Sequence, residues 1–156
     1  GKVEYNIYGS IRDEDYWDEC KKVIAELPAN ISVSYHQSIP PDQVASVLSE
    51  HHVMILPSES ENFGHAIYES LSAGRPVITS LSTPFNGLKA AKAGVNVDPG
   101  QVYSIRDAIQ FVVGMKESEW SEWSAGAHQY AEAYFNSERL LSDYREMFRR
   151  GESTVG

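Results

Sequence analysis

Short apolar runs alternate along the chain with longer segments in which apolar residues recur every three or four positions. The short runs, rich in Val, Ile and Tyr, predict strands over residues 3–9, 31–36, 53–56, 76–79 and 95–97. Helical spacing predicts helices over about 13–27, from 40 onward, over about 62–74, in a short piece at 88–93 and through the tail. This alternation predicts an α/β fold with a doubly wound, Rossmann-like parallel sheet.

The tail carries two apolar stripes that predict helices packed against the rest of the fold. The first consists of Trp120, Trp123, Ala127, Tyr130 and Tyr134, and the second of Leu141, Tyr144 and Phe148. The chain shows no internal repeat and no linker-like segment before "GESTVG" at its end. We therefore expect a single domain over residues 1–150, followed by a frayed tail over 151–156.

Composition narrows the function classes. The 156 residues, 42% of them hydrophobic, are enough for one real core. A formal net charge of -9 at pH 7 argues against a long polyanion such as DNA, although a small phosphate ligand can be held by backbone amides alone. Cys20 is the single cysteine, so no internal disulfide forms. It shares a helix face with Trp17 and Ile24, which indicates packing.

The most informative stretch is "SESENFGHAIYESLSAGRPVITS", which runs from residue 58 to 80. A helix that begins near residues 62–64 would point its first free amides, those of Gly64, His65 and Ala66, towards an anion. Glu61 lies just outside this turn and Glu69 one turn inside it. Because two carboxylates would repel phosphate, they fit best beside sugar hydroxyls, which donate hydrogen bonds. Together these groups outline a nucleotide-sugar site.

A simpler interpretation stays open for the same stretch. Glutamates near a helix start complement the helix dipole, and the Phe63-Gly64 pair is also consistent with a packing turn. His65 and Glu69 are four residues apart, so they share a helix face and could pair with each other. On this interpretation the glutamates are surface groups.

The residues from 57 to 80, "PSESENFGHAIYESLSAGRPVITS", resemble the signature of the retaining glycosyltransferases called group 1, or family 4. That family carries two glutamates separated by seven residues, and Glu61 and Glu69 have this spacing. The neighbouring "STPFNGLKAAKAGVNVDPG" is similar to the family's Thr-Pro loop and final strand. The resemblance is tight over residues 53–100 and looser over 3–42, where "NIYG" is similar to the family's second strand.

The resemblance implies the carboxy-terminal, donor-binding half of a GT-B fold, and it implies roles for individual residues. Glu69 would hold the ribose hydroxyls, and Glu61, the candidate catalytic residue, would hold hydroxyls of the transferred sugar. Other donor-binding positions implied are the amides of Phe63, Gly64, His65 and Ala66, with Thr83 and Pro84 near the phosphates. The base would rest near His36, Gln37 and Ile39, although the family usually has glycine at position 37.

The activity implied is a retaining, hexosyltransferase-type transfer from a UDP-, GDP- or ADP-sugar to a polysaccharide or glycolipid acceptor. The resemblance implies no metal and no other cofactor. It also implies a cytoplasmic setting, with the full enzyme peripheral to the membrane and the acceptor bound by an amino-terminal domain. The alternative is a non-catalytic doubly wound module that binds a nucleotide or another protein.

The chain departs from the family pattern in one unit. The family's first strand and helix carry an Arg and a Lys that grip the donor diphosphate, and Lys2, Arg12 and Arg75 do not match those positions. We therefore expect a piece of a longer enzyme that binds donor weakly and turns nothing over. In the family the first strand lies between the second and the fourth. We accordingly expect the strand at 3–9 to pair directly with the strand at 53–57, or with another copy of the chain.

Two further clusters have simpler explanations. The acidic triplet from Asp13 to Asp15 has the form of the metal-binding triplet of other glycosyltransferases, but its place at a helix start favours capping. His51 and His52 point to different faces of a helix end and have no nearby Cys or paired His. A zinc site at these histidines is therefore not expected.

Overall fold

A computed structural model describes residues 1–135, which form two compact units that meet in sequence at Val44 and Ala45. The first unit contains β1 (Val3–Tyr8), α1 (Glu14–Ala25), β2 (Ile31–His36) and a single 3-10 turn at Pro41–Gln43. β1 and β2 pair in parallel, with Val3 opposite Ile31 and Tyr8 opposite His36. None of residues 1–44 is buried, so this unit has no core of its own.

The helix of the first unit begins where an acidic side chain caps it. Asp13 has an extended backbone, and its Oδ1 accepts a hydrogen bond of 2.9 Å from the Tyr16 amide. Acidic residues also fill the first turn, where they complement the dipole. The capping interpretation of the triplet is therefore confirmed. Among residues 1–135 no three or more His, Cys, Asp or Glu side chains are grouped so that they could hold a metal ion.

The second unit is built on three parallel strands, β3 (Met54–Leu56), β4 (Val77–Ser80) and β5 (Gly94–Val97), in the order β3-β4-β5. All four residues of the central β4 are buried, which explains its continuous apolar start. The remaining elements are the helices α2 (Val44–Ser49), α3 (His65–Ser72), α4 (Val102–Val113) and α5 (Glu117–Phe135).

Each face of this sheet packs against its own helices. Val77 belongs to a cluster with Ile67 and Leu71 of α3 and with Ala127 of α5. Its neighbour Ile78 points to the opposite face, in a cluster with residues of α4 that include Val112. Helices therefore cover both faces of a parallel sheet, and the predicted α/β, Rossmann-like class is confirmed.

Helix α5 passes along the edge where the three strands begin. The Trp120 indole donates a hydrogen bond of 3.0 Å to the His52 carbonyl, just before β3. At Gly74, before β4, a Cβ would lie 3.1 Å from Ser124 Oγ. Gly126 packs against the chain before β5, so closely that a Cβ would lie 2.5 Å from the Ala91 carbonyl oxygen. The first tail stripe is thus confirmed as packing, and the stripe at 141–148 lies outside the described residues.

One prediction about an element is wrong. Residues 88–93 form consecutive turns and no helix, because Gly87 and Lys92 adopt positive φ angles of 70° and 53°. Among the described strands β1 pairs only with β2, and β3 only with β4, so the expected direct pairing of the first strand with β3 is not seen. No residue of β1 or β3 is buried, and the alternative, pairing with another copy of the chain, stays a prediction.

None of the helices in residues 1–135 is both long and apolar enough to cross a membrane. The single-domain assignment over 1–150 stays a prediction, and the tail at 151–156 lies outside the described residues.

Candidate functional site

The first turn of α3 starts from a glycine with an unusual backbone. Gly64, the N-cap residue, is buried and lies in the left-handed region at φ 63° and ψ 46°. A Cβ at this position would lie 2.7 Å from Cε2 of Phe85. Glycine is therefore required both by the backbone angle and by the ring behind it. The following amides begin a helix and have no partner within it, so they point towards the carboxyl end of the sheet.

Glu61 contacts this turn through its side chain. Its side chain is half-buried, and its Oε1 accepts a hydrogen bond of 3.3 Å from the Gly64 amide. Our expectation of a free Gly64 amide is therefore wrong, because a carboxylate already occupies it. An anion that approaches this amide has to displace Glu61.

His65, Glu69 and Phe63 lie on the exposed surface of the same turn. The Phe63 ring is 72% exposed and stacks on the His65 ring, with centroids 5.8 Å apart and planes at 25°. Glu69 is exposed one turn further along α3. No salt bridge joins His65 to Glu69 in the part of the chain that the structure describes. The ring of His65 contacts Phe63 instead.

The loop after β4 contains Thr83 and Pro84. Thr83 is only 4% exposed, and its hydroxyl donates a hydrogen bond of 3.1 Å to the Ser80 carbonyl. The Thr83 carbonyl in turn accepts a hydrogen bond of 3.2 Å from the Asn86 side-chain amide. The Thr83 hydroxyl is thus engaged within its own loop. Because Phe85 of this loop contacts Gly64, the loop and the start of α3 meet at the carboxyl end of the sheet.

Sequence reasoning missed three residues that hold this loop. Asn96 of β5 donates to the Phe85 carbonyl at 2.8 Å, and the Tyr130 hydroxyl donates to the Asn86 carbonyl at 2.8 Å. Burial raises the pKa of Tyr130 above its ordinary value. The Phe85 ring, fully buried, stacks on Tyr134 with centroids 4.7 Å apart. Asn96 gave a signal in the sequence as a lone amide inside the apolar run "GVNV", and Tyr130 and Tyr134 belong to the predicted tail stripe, but their contacts with this loop were not predicted.

The residues assigned to the base lie in the first unit, at and after the end of β2. His36 stacks on Tyr8 with centroids 4.7 Å apart and planes at 16°, and its Nε2 lies 2.9 Å from Asn6 Oδ1. Gln37 is exposed and Ile39 is half-buried. Their contact with a nucleotide base stays a prediction.

The family model for glycosyl transferases group 1 matches residues 2–125. The chain belongs to this family. The match includes α3, both candidate glutamates and the loop after β4, all within the matched range. A comparison with curated protein sequences finds no match.

Solved structures of glycosyltransferases share the fold. The chain is similar to WaaG, a glycosyltransferase involved in lipopolysaccharide biosynthesis, with TM-score 0.65, 17% identity, and coverage of 81% of this chain and 33% of WaaG. It is also similar to sucrose-phosphate synthase from Thermosynechococcus elongatus, with TM-score 0.72 and 19% identity over 99% of this chain and 39% of the synthase. A third is a glycosyltransferase from Rickettsia africae ESF-5, with TM-score 0.70 and 17% identity over 96% of this chain and 40% of that one.

These likenesses support the fold, as expected for one half of a GT-B glycosyltransferase. The chain spans between 33% and 40% of the length of these three structures.

Proposed function

We propose that this chain is the donor-binding part of a retaining glycosyltransferase and that it holds a nucleotide sugar at the start of α3. The observation that carries the proposal is the left-handed Gly64 at the helix N-terminus, flanked by Glu61 and Glu69, inside a region that matches the family model. Helix amides suit the diphosphate, and the carboxylates suit the hydroxyls on either side of it.

The proposal gives each side chain one task. Glu69, exposed on α3, binds the ribose hydroxyls. Glu61 leaves the Gly64 amide when the diphosphate arrives and then accepts hydrogen bonds from the transferred sugar. The number of hydrogen bonds stays the same in this exchange, because the Gly64 amide gains a phosphate oxygen as acceptor while the Glu61 carboxylate gains a sugar hydroxyl as donor.

The chemistry of the step follows from charge. As the bond between the anomeric carbon and the diphosphate oxygen breaks, positive charge develops on the sugar and negative charge on the leaving group. The amides at the start of α3 and the helix dipole stabilise that negative charge, and Glu61 orients the sugar. The diphosphate is a good leaving group, so the proposal includes no metal and no other cofactor.

The activity belongs to a longer protein in this proposal. A separate domain would bind the acceptor, a polysaccharide or a glycolipid, at the cytoplasmic side of a membrane. In this chain Thr83 and Pro84 would lie near the phosphates of the donor. The nucleotide base would lie near His36, Gln37 and Ile39. The enzyme would be of the hexosyltransferase type. By itself the chain is expected to bind donor weakly and to be inactive, since it carries no match for the family's diphosphate-binding Arg and Lys.

The test is an NMR titration of the ¹⁵N-labelled chain with UDP, GDP and ADP and with their common sugar conjugates. We expect one nucleotide to shift the amide resonances of Gly64, His65 and Ala66. Glu69→Ala should weaken this binding by about tenfold, because it removes hydrogen bonds between a charged group and the ribose. The control is Glu132→Ala, which removes another exposed glutamate, from α5.

Equal weakening by both variants would assign the effect to net charge and would contradict the role of Glu69. If no nucleotide shifts the α3 amides even at saturating ligand, the donor-site proposal fails for this chain. A nucleotide that shifts other amides would instead favour the alternative, a nucleotide-binding module without transfer chemistry.

A further inference from the structure

We propose that Asn96 is a positioning residue for the donor site, because its side-chain amide fixes the loop after β4 and, through Phe85, the first turn of α3. This inference rests on the proposed function, since it concerns the same site. Asn96 has no donor contact of its own in this proposal; it acts through the backbone of the loop.

The Asn96 amide joins the start of this loop, at Ser80, to Phe85 within it. Its Nδ2 donates a hydrogen bond of 2.8 Å to the Phe85 carbonyl and one of 3.4 Å to the carbonyl of Ser80, the last residue of β4. An amide nitrogen carries two hydrogens, so one side chain can serve both carbonyls. The anchor itself is rigid, because Asn96 lies on β5 and pairs with Thr79 of the central strand.

Other side chains complete the frame inside the loop. The Thr83 hydroxyl donates to the Ser80 carbonyl, and the Asn86 amide donates to the Thr83 carbonyl. Tyr130 of α5 then donates to the Asn86 carbonyl. Side-chain donors, and not the regular hydrogen bonds of a strand or helix, therefore set the path of this backbone, and Asn96 donates to two of its carbonyls.

The position of Phe85 is passed on to α3 by direct packing. Its ring is fully buried and lies so close to Gly64 that a Cβ there would be 2.7 Å away. Tyr134 stacks on the same ring and leaves it little room to retreat. Because protein interiors are close-packed, a shift of the Phe85 backbone has to move the ring, and with it Gly64 and the amides that follow.

The residue type supports a dedicated role. Position 96 lies in a strand between Val95 and the buried Val97, and its half-buried side chain points to the opposite face of the sheet. A leucine of similar size would remove the side-chain donor to the Phe85 carbonyl and leave the Ser80 carbonyl with only the Thr83 hydroxyl, and the loss of a donor to a part-buried carbonyl is costly. Asparagine is disfavoured in strands, so its presence here is best explained by those two hydrogen bonds.

The experiment compares Asn96→Leu and Asn96→Asp with the control Val112→Ala. Leucine removes both donors at nearly constant volume, and aspartate also places a charged acceptor against two carbonyls. Val112→Ala weakens the core on the opposite face of the same sheet, in the cluster with Ile78 and away from the loop. Amide and aromatic-ring spectra of the free chains are recorded first, and then the affinity for UDP, GDP and ADP.

Both Asn96 variants should move the Gly64 amide and Phe85 ring resonances in the free chain. Because displaced α3 amides bind the diphosphate less well, both should also weaken nucleotide binding by about tenfold. Val112→Ala should lower the melting temperature but keep both the resonances and the affinity. If Asn96→Asp does not fold, Asn96→Leu carries the comparison.

Unchanged Gly64 and Phe85 resonances in Asn96→Leu would overturn the inference, as would an affinity loss equal to that of Val112→Ala. Failure of the proposed function has a different signature. If the unmodified chain binds none of the three nucleotides, the donor-site proposal fails, while the spectra of the free variants still decide whether Asn96 positions α3.

Discussion

At the residue scale, Gly64 carries the strongest constraint in the candidate site. The sequence pointed to this residue through its amide at the start of a helix. The structure adds two reasons that come from the protein itself, the φ of 63° and the Phe85 ring behind the Cα atom. The first turn of α3 is therefore shaped by its packing against the Phe85 ring.

Gly64→Ala should lower the free energy of unfolding by about 2 to 4 kcal/mol, since it combines a left-handed alanine with an overpacked contact. Gly87→Ala is the matched control, because Gly87 has φ 70° but a Cβ added there would meet no atom within 4 Å. It should cost only about 1 to 2 kcal/mol. Urea unfolding followed by tryptophan fluorescence measures both, and equal losses would show that the Phe85 contact costs nothing.

At the element scale, acidic side chains cap the first amides of two helices, α1 and α3. α1 begins at an aspartate that caps the Tyr16 amide, and α3 begins at a glycine whose amide is capped by Glu61. The first cap is local and exposed, so its consequence is stability of one helix. The second lies in the candidate site, so the same kind of contact there competes with an anion for the amide.

Asp13→Ala should destabilise α1 by about 1 kcal/mol, because the Tyr16 amide loses its side-chain acceptor. Asp13→Ser should restore most of the loss. Glu19→Ala, an exposed change within the same helix, serves as the control and should have little effect. Amide hydrogen exchange across α1 measures the difference. A gain in protection on adding magnesium, abolished by Asp13→Ala, would instead favour the metal-binding interpretation of the triplet.

At the scale of the whole molecule, the described strands leave open edges. β1 pairs only with β2 and β3 only with β4 among residues 1–135, and edge strands with free backbone groups are templates for further pairing. The net charge of -9 opposes association of two copies, and salt screens that repulsion. We therefore propose weak self-association through a strand edge, stronger at higher ionic strength.

Sedimentation velocity over a wide concentration range should show the average mass rising with concentration and with salt. Tyr5→Lys places a charge on β1 and should reduce this rise, because lysine on an edge strand disfavours pairing. Tyr16→Lys puts the same charge on an exposed position of α1 and should leave association unchanged apart from the added charge. A chain that stays monomeric throughout, or variants that behave alike, would exclude pairing through β1.

The sequence by itself determined the class of the fold, the order of its strands, and the pair of glutamates around a helix start, because these depend on local periodicity and on residue types a few positions apart. Three features were decided only by tertiary structure. They are the open edges of β1 and β3, the occupation of the Gly64 amide by Glu61, and the frame of Asn96, Phe85 and Tyr130 behind the site. The edges and the frame depend on how distant segments pack, which no local pattern encodes. The Glu61 contact spans only three residues, and it depends on the left-handed backbone of Gly64, which no residue pattern specified.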